Sequence, residues 1–243
     1  MDHSEIWDED AAAAYDTPGS GMFAAEVLDP VVARLAALAG DGRALEFAIG
    51  TGRVALPLLA AGVAVSGIEL AAPMLDQLRT KVDAERLPVA LGDMATVVVP
   101  GAFALVYLVF NGISNLLSQA EQVACFRNAA RHLRPGGRFV IELWVPVLPH
   151  PAGPQATVGV SEPGYLLVDT VDVVAQRLVS HHMRFGPGRS AGLFRSPHRY
   201  VWPSELDLMA ELAGFVLESR DEDWIGTAFS AGSRQHVSVY RLA

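Results

Sequence analysis

The sequence predicts an α/β protein on a doubly wound, mostly parallel sheet, with a β-rich insertion after the fifth strand. Three observations carry that expectation. Short apolar runs alternate five times with helix-period segments over about 105 residues, a pattern that calls for parallel strands joined by right-handed crossovers. Phe103-Ala104-Leu105-Val106-Tyr107-Leu108-Val109-Phe110 is an unbroken apolar run, as a strand buried on both faces requires. After Pro146 the helical period vanishes and Pro, Gly, Val and Thr dominate, before one more helix and two more strands in 203–243.

Taken in order, residues 1–20 read as irregular, with a short helical turn at Ala11–Ala14 ahead of Tyr15-Asp16. Asp29-Pro30 reads as N-cap and first position of a helix whose apolar face is Val31, Val32, Leu35 and Leu38. Strands are expected at 44–48, 63–70, 87–91, 103–110 and 138–145. The helices between them fall at 53–61, 72–82 and 119–133, the last opened by the capping box Ser118-Gln119-Ala120-Glu121. Residues 147–164 show no helical period, 165–185 and 195–202 read as strand, and Ser204 caps a helix ended by Gly214. Strands at 215–220 and 236–242 follow. The expected organisation is an N-terminal helical segment (1–40) over the active site, a Rossmann-like core (41–146), an inserted β-rich lid (147–202) and the last helix and strands of the core (203–243).

Composition narrows the function. With 243 residues, 51% hydrophobic, the chain can bury a large core. A formal net charge of −9 argues against a nucleic-acid partner, which needs a basic face. The acidic opening lacks the features of a signal peptide, and no apolar run reaches the ~18 residues of a membrane span. The single Cys125 leaves no disulfide framework, and the histidines lack metal-ligand spacing. A cytoplasmic protein without metal, monomeric or homodimeric, is expected.

The chemistry is densest in Ala44-Leu45-Glu46-Phe47-Ala48-Ile49-Gly50-Thr51-Gly52-Arg53. Glu46 is out of place in a buried strand unless it lies at the carboxyl edge of the sheet, where open α/β sheets bind ligands. Gly50 and Gly52 let the backbone turn and approach a ligand, and the amides of the following helix start face the same crevice. A carboxylate at that point suits a cationic ligand group. Yet Gly50-Thr51-Gly52-Arg53-Val54-Ala55 also matches the dinucleotide pattern G-x-G-x-x-G/A, with Glu69 nineteen residues past Gly50. The segment alone leaves NAD and a cationic ligand both open.

Four segments, in order, resemble the class I S-adenosylmethionine (SAM)-dependent methyltransferases. Glu46 to Arg53 resembles the first motif, with Ala48 where many members have a glycine. Gly67-Ile68-Glu69-Leu70 followed by Ala72-Pro73-Met74-Leu75 resembles the second, and Leu91-Gly92-Asp93-Met94 the third. Arg131-His132-Leu133-Arg134-Pro135-Gly136-Gly137 resembles the family's turn into strand five. The resemblance covers 28–146 and, through the closing helix and strand pair, 203–243. It implies a seven-stranded sheet whose last strand inserts antiparallel, with SAM as cofactor and S-adenosylhomocysteine (SAH) as product. It implies cofactor contacts from Glu46, Ala48, Gly50, Gly52, Arg53, Glu69, Leu70, Met74, Gly92, Asp93, Met94 and Phe110. In that pattern Glu69 accepts from both ribose hydroxyls, Met74 and Leu75 cover the adenine, and Asp93 accepts from the adenine amino group. Tyr15-Asp16 and the insertion resemble small-molecule methyltransferases, including those that N-methylate amino sugars in natural-product pathways. The Asn/Asp-Pro-Pro-Tyr signature of nucleobase and glutamine methylation is absent where Phe110-Asn111-Gly112 stands.

The expected reaction is SN2 methyl transfer to nitrogen or oxygen of a small-molecule acceptor, which an enzyme assists mainly by orientation. A hydroxyl acceptor benefits from a base, whereas an amine needs only to be deprotonated. Candidate bases are His181, His182 and His198; His181 and His182 are neighbours on a strand, so at most one faces the site. Tyr15 is a candidate cover for the methionine end of SAM. Asn111 and Asn115 follow strand four at the sheet edge and, with Arg199, Tyr200 and Trp202, are candidate acceptor contacts. The competing functions are a SAM-binding regulatory or scaffold protein that does not methylate, and an NAD-dependent oxidoreductase.

Overall fold

The computed structural model describes residues 7–147, 155–185 and 192–243. Residues 1–6, 148–154 and 186–191, on which parts of the leader and insertion expectations fall, lie outside the described residues.

The main sheet has seven strands: β1 (Ala44–Phe47), β2 (Val65–Glu69), β3 (Val89–Leu91), β4 (Phe103–Leu108), β5 (Leu133–Trp144), β10 (Phe215–Asp221) and β11 (Gln235–Leu242). Their spatial order is β10-β11-β5-β4-β1-β2-β3. β1 to β5 pair in parallel, and β11 runs antiparallel between β5 and β10. Every residue of β1, β2 and β4 is buried, as central strands covered on both faces must be.

Helices cover both faces. Val106 and Leu108 of β4 join Phe126 and Ala129 of α5 (Gln119–His132) and Leu206 and Met209 of α6 (Pro203–Leu212) in one core. Leu105 and Tyr107, on the opposite face of the same strand, meet Leu35 of α2 (Ala25–Ala39), Leu58 of α3 (Ala55–Ala60) and Leu78 of α4 (Ala72–Arg79). The capping box at Ser118 forms as its sequence requires, with both reciprocal hydrogen bonds present.

Several boundaries differ from the sequence reading. α2 begins at Ala25, so Asp29 is not its cap and Pro30 sits inside the helix. Pro30 gives up one ladder bond, but Leu28 donates to the Ala24 carbonyl at 3.0 Å and packs against the core, which extends the helix backwards. Ser204 is not a cap either: Pro203 takes the first turn and Trp202 precedes it. β5 starts at Leu133 rather than Arg138. Leu133 pairs with Phe103 and Arg138 with Leu105, so residues 134–137 form an excursion within the strand, which Gly136 permits at φ +73°.

The insertion folds as a separate antiparallel sheet of four strands, β6 (Gln155–Glu162), β7 (Tyr165–Asp172), β8 (Arg177–Arg184) and β9 (Gly192–Arg199), in that spatial order. The single segment read at 165–185 is thus two strands, and β6 lies where none was expected. A short helix, α1 (Glu9–Ala13), is capped by the Asp8 side chain and packs through Ala12 on Met74 and Ala71 of the α4 start.

Candidate active site

The carboxyl edges of β1 to β4 open into one cavity of about 1220 Å³, closed on its far side by the inner face of the four-stranded sheet. At the edge of β1, Ala48 and Gly50 both adopt positive φ (52° and 56°), which turns the chain sharply across the sheet end. A Cβ at Gly50 would also stand 3.3 Å from the Met74 methyl, which would have to give way.

Glu46 is buried at this edge. Tyr107, its neighbour on β4, donates its hydroxyl to Glu46 Oε2 at 2.9 Å. Burial pushes the Glu46 carboxyl up to about 8, opposed by the Tyr107 hydrogen bond and by Arg53. Glu69 ends β2 and faces the cavity, with Oε2 accepting from Gly50 N (2.7 Å) and Oε1 from Ala71 N (2.9 Å). Burial raises its pKa and these amide donors lower it. Each oxygen keeps a further lone pair. Asp93, past the end of β3, accepts from Ala95 N at 2.7 Å and lines the cavity with Gly92 and Met94.

Beyond β4, Phe110 (φ 51°) and Asn111 (φ 62°) are both left-handed. Such a pair needs external support, and Glu142 of β5 supplies it. Its Oε2 accepts from Phe110 N (2.7 Å), its carbonyl accepts from Asn111 N (3.1 Å), and Trp224 Nε1 donates to its Oε1 (2.7 Å). Asn111 Oδ1 in turn accepts from Trp144 N at 2.8 Å. The Arg53 guanidinium lies 5.2 Å from the Phe110 ring centre and donates to the Met22 carbonyl.

The N-terminal segment closes this end. Thr51 donates to Asp16 Oδ1 at 2.6 Å, and Lys81 pairs with Asp16 while donating to the Thr51 carbonyl at 2.8 Å. Trp7 and Tyr15, ring centres 5.4 Å apart, line the cavity. Burial raises the Tyr15 pKa, with Arg53 opposing.

Of the residues singled out from sequence, Tyr15, Glu46, Ala48, Gly50, Arg53, Glu69, Leu70, Met74, Gly92, Asp93, Met94, Phe110, Asn111, Asn115, His182 and His198 come together on the cavity wall. Others do not. Gly52 faces Leu78 and Leu56, where a Cβ would come within 2.5 Å of Leu78; its part is in packing α4 on the turn. Leu75 points into the core, leaving Met74 at the cavity without it. His181 is on the outer face of β8, against Thr170 and Arg195. Trp202 edges onto Tyr200 away from the cavity.

Arg199 and Tyr200 are corrections of a different kind. Both are buried outside the cavity. Arg199 pairs with Glu205 of α6 at 2.7 Å and donates to Gln176 at 2.9 Å and to Gln122 of α5, while Tyr200 donates to the Val173 carbonyl. The arginine therefore fastens the inserted sheet to two core helices. Arg199→Met leaves Glu205 without its cation, though Gln119 and Gln176 still donate to it, and Gln122 Oε1 without a donor; the expected loss is ~3 kcal/mol of stability, read as a fall in denaturant midpoint.

Sequence reasoning missed Tyr107, hidden in an apolar run; Glu142; and the Asp16–Thr51–Lys81 clamp. It also missed Ser114, in the 3-10 turn Gly112–Asn115, whose buried hydroxyl lines the cavity without a hydrogen-bond partner. The only advance signals were the polar residues themselves in segments read as strand or loop.

The donor set fits SAM. Three acidic side chains, Glu46, Glu69 and Asp93, stand at the ends of three successive strands on the cavity wall. A pyrophosphate would instead meet three acidic side chains at this edge.

Comparison with known proteins agrees. The family profile described as "Methyltransferase domain" matches residues 44–137. The CcbJ methyltransferase from Streptomyces caelestis is 38% identical, with 88% of each chain covered and a TM-score of 0.80. The cypemycin N-terminal methyltransferase of Streptomyces sp is 27% identical over 98% of both chains. SAM-bound CalS10, an amino pentose methyltransferase from Micromonospora echinaspora involved in calicheamicin biosynthesis, shares the fold at 24% identity, 95% coverage of each chain and a TM-score of 0.69. This chain belongs to the class I SAM-dependent methyltransferases, and SAM is its cofactor.

Proposed function

We propose that the enzyme methylates an amine nitrogen of a small natural-product intermediate. The observation that carries this reading is the single cavity running from the carboxyl edge of the parallel sheet to the inner face of the inserted one, which gives cofactor and acceptor a shared enclosure. The N-terminal methyltransferase and amino pentose methyltransferase relatives favour nitrogen over oxygen.

When bound, SAM supplies a sulfonium methyl group for in-line SN2 displacement. In this reading Glu69 accepts from the ribose hydroxyls, Asp93 from the adenine amino group, and Met74 and Leu70 flank the ring. Glu46 faces the methionine ammonium and Arg53 the carboxylate. Gly50 and Gly92 let the backbone come close. Phe110, Asn111 and Asn115 sit between the cofactor end and the inserted sheet, where they hold the acceptor in line at ~3 Å. Tyr15 and Trp7 exclude water from the developing reaction. An amine needs no base beyond water once deprotonated, whereas a hydroxyl acceptor would need His182 or His198.

Isothermal titration with SAM and SAH tests the site, with micromolar binding expected; no binding at millimolar concentration refutes it. Incubation with SAM and a panel of amino sugars, read by mass spectrometry, tests the reaction. Methylation of a peptide α-amine in preference to every amino sugar would instead favour the activity named for the cypemycin relative.

A further inference from the structure

Alternate residues of the inserted sheet face the cavity, and their register sorts them by chemistry. Thr157 of β6 lies opposite Asp169 of β7, Asp169 opposite Ser180 of β8, and Ser180 opposite Ser196 of β9, so one polar row crosses all four strands. The rows on either side are Leu167–His182–Phe194 and Val171–Leu178–His198. A hydroxyl-and-carboxylate band thus runs between two largely apolar ones, and all of these residues line the cavity.

Two hydrogen-bonded clusters run along the band. Ser180 donates to Asp169 Oδ1 at 2.6 Å, and the Ser196 hydroxyl is shared by His182 Nε2 (3.1 Å) and His198 Nε2 (3.2 Å). Tyr165 holds His182 Nδ1 at 2.7 Å. Burial lowers the His182 pKa, with Asp169 opposing, and its ring packs beside Tyr165 and Phe194. Among the described residues Asp169 enters no ion pair.

Asp169 is also kept open. The β6–β7 register slips between Val158 and Val160, which makes Gly159 the bulged residue. A Cβ on Gly159 would stand 3.2 Å from Asp169 Oδ2 and 3.1 Å from Leu167. The glycine's φ is not in the left-handed region, so backbone conformation does not demand it; a side chain there would instead crowd Oδ2. A half-buried carboxylate with one oxygen fixed by Ser180, the other uncovered and no ion-pair partner among the described residues is complementary to a cationic donor.

We infer that this row is the acceptor-reading surface and that Asp169 selects an amine-bearing, hydroxylated ring. The amine sits on Asp169 Oδ2, arriving as an ammonium that gives one proton to solvent before methyl transfer and keeps an N–H donated to the carboxylate; ring hydroxyls exchange hydrogen bonds with Thr157, Ser180 and Ser196, and the ring's C–H faces lie on the flanking apolar rows. Anionic acceptors are rejected by charge. This rests on the methyl-transfer reading above and specifies its substrate class.

The test uses protein saturated with SAH and calorimetric titration with three probes: the methyl glycoside of a 3-amino-3-deoxyhexose, its N-acetyl form, and a methyl hexuronide. The amine is expected to bind at least ~10-fold more tightly than the N-acetyl form, with no detectable binding of the uronide. Asp169→Asn, which keeps the acceptor for Ser180, should lose that ~10-fold advantage while binding the N-acetyl probe as before. Gly159→Val, which covers Oδ2 and keeps the charge, should weaken the amine selectively. Unchanged SAH affinity in both variants shows that they are folded. Equal affinity for the three probes, no binding of any of them, or full amine selectivity in Asp169→Asn overturns the inference while leaving the cofactor site standing. Failure of SAH to bind the wild-type protein removes both.

Discussion

Glu69→Ala is expected to weaken SAM and SAH binding about 100-fold. Two charge-assisted hydrogen bonds to ribose hydroxyls, each worth ~1.5 kcal/mol, sum to ~3 kcal/mol. The same carboxylate holds Gly50 N and Ala71 N, so the variant also loosens the glycine turn and the start of α4. Glu69→Gln separates the two effects, because its carbonyl oxygen keeps one of those amide bonds. Calorimetry with SAH measures both, and an unchanged dissociation constant in Glu69→Ala would mean that the ribose is held elsewhere.

The second large effect is in pH. With its carboxyl up at about 8, Glu46 is mostly protonated at pH 7 in the free protein. Facing a cationic methionine ammonium it must ionise, so SAM binding at pH 7 should release a proton. Affinity should rise with pH until about 8 and then level. An α-amino group titrates in the same range, so the diagnostic is the difference between wild type and Glu46→Gln. The variant should lose the Glu46 proton and bind at least ~10-fold more weakly. Titrations in buffers of different ionisation enthalpy count the protons, and equal release by both proteins would exclude Glu46 as the source. Stability follows the opposite course. A carboxyl raised in the folded state contributes stability that is complete below its unfolded value near 4.5 and is lost as pH rises through about 8. Between pH 7 and 9 the free wild-type protein should therefore lose melting temperature faster than Glu46→Gln.

The cofactor end of the molecule was legible because its chemistry breaks a pattern. A glutamate has no business in a buried strand, so Glu46 and Glu69 marked the sheet edge, and two glycines after one of them marked the turn. Tyr107 gave no such signal. Within Phe103–Leu108 it reads as one more apolar residue, although its hydroxyl is what Glu46 leans on. The acceptor side failed for another reason. Arg199, Tyr200 and Trp202 have the composition of a ligand pocket, but an arginine among aromatics serves equally well as a fastening point between two layers, and only the partners Gln122, Gln176 and Glu205 tell which. Asp169 and Ser180 were invisible because their meaning lies in the register between strands, which the order of residues along the chain does not state. The start of α2 at Ala25 shows packing overriding a local cap signal at Asp29-Pro30.

The position of β11 has a consequence for how the protein is made. Gln235–Leu242 is the last of the sheet's seven strands in chain order, yet it occupies an interior place in the sheet, between β5 and β10. From the synthesis of Trp144 until that of Leu242, one edge of β5 has no partner, and β10 has no strand to pair with. The nascent chain therefore carries an open row of backbone donors and acceptors beside an apolar face throughout the making of the entire inserted sheet, the condition under which strands pair with the wrong neighbour. The inserted sheet, antiparallel and built from hairpins, can form during that interval, whereas completion of the catalytic sheet has to wait. Substitutions in β11 such as Val237→Asp should accordingly lower the yield of folded enzyme during translation by more than their effect on the refolded protein's stability accounts for, which parallel assays of cell-free synthesis and denaturant refolding would reveal.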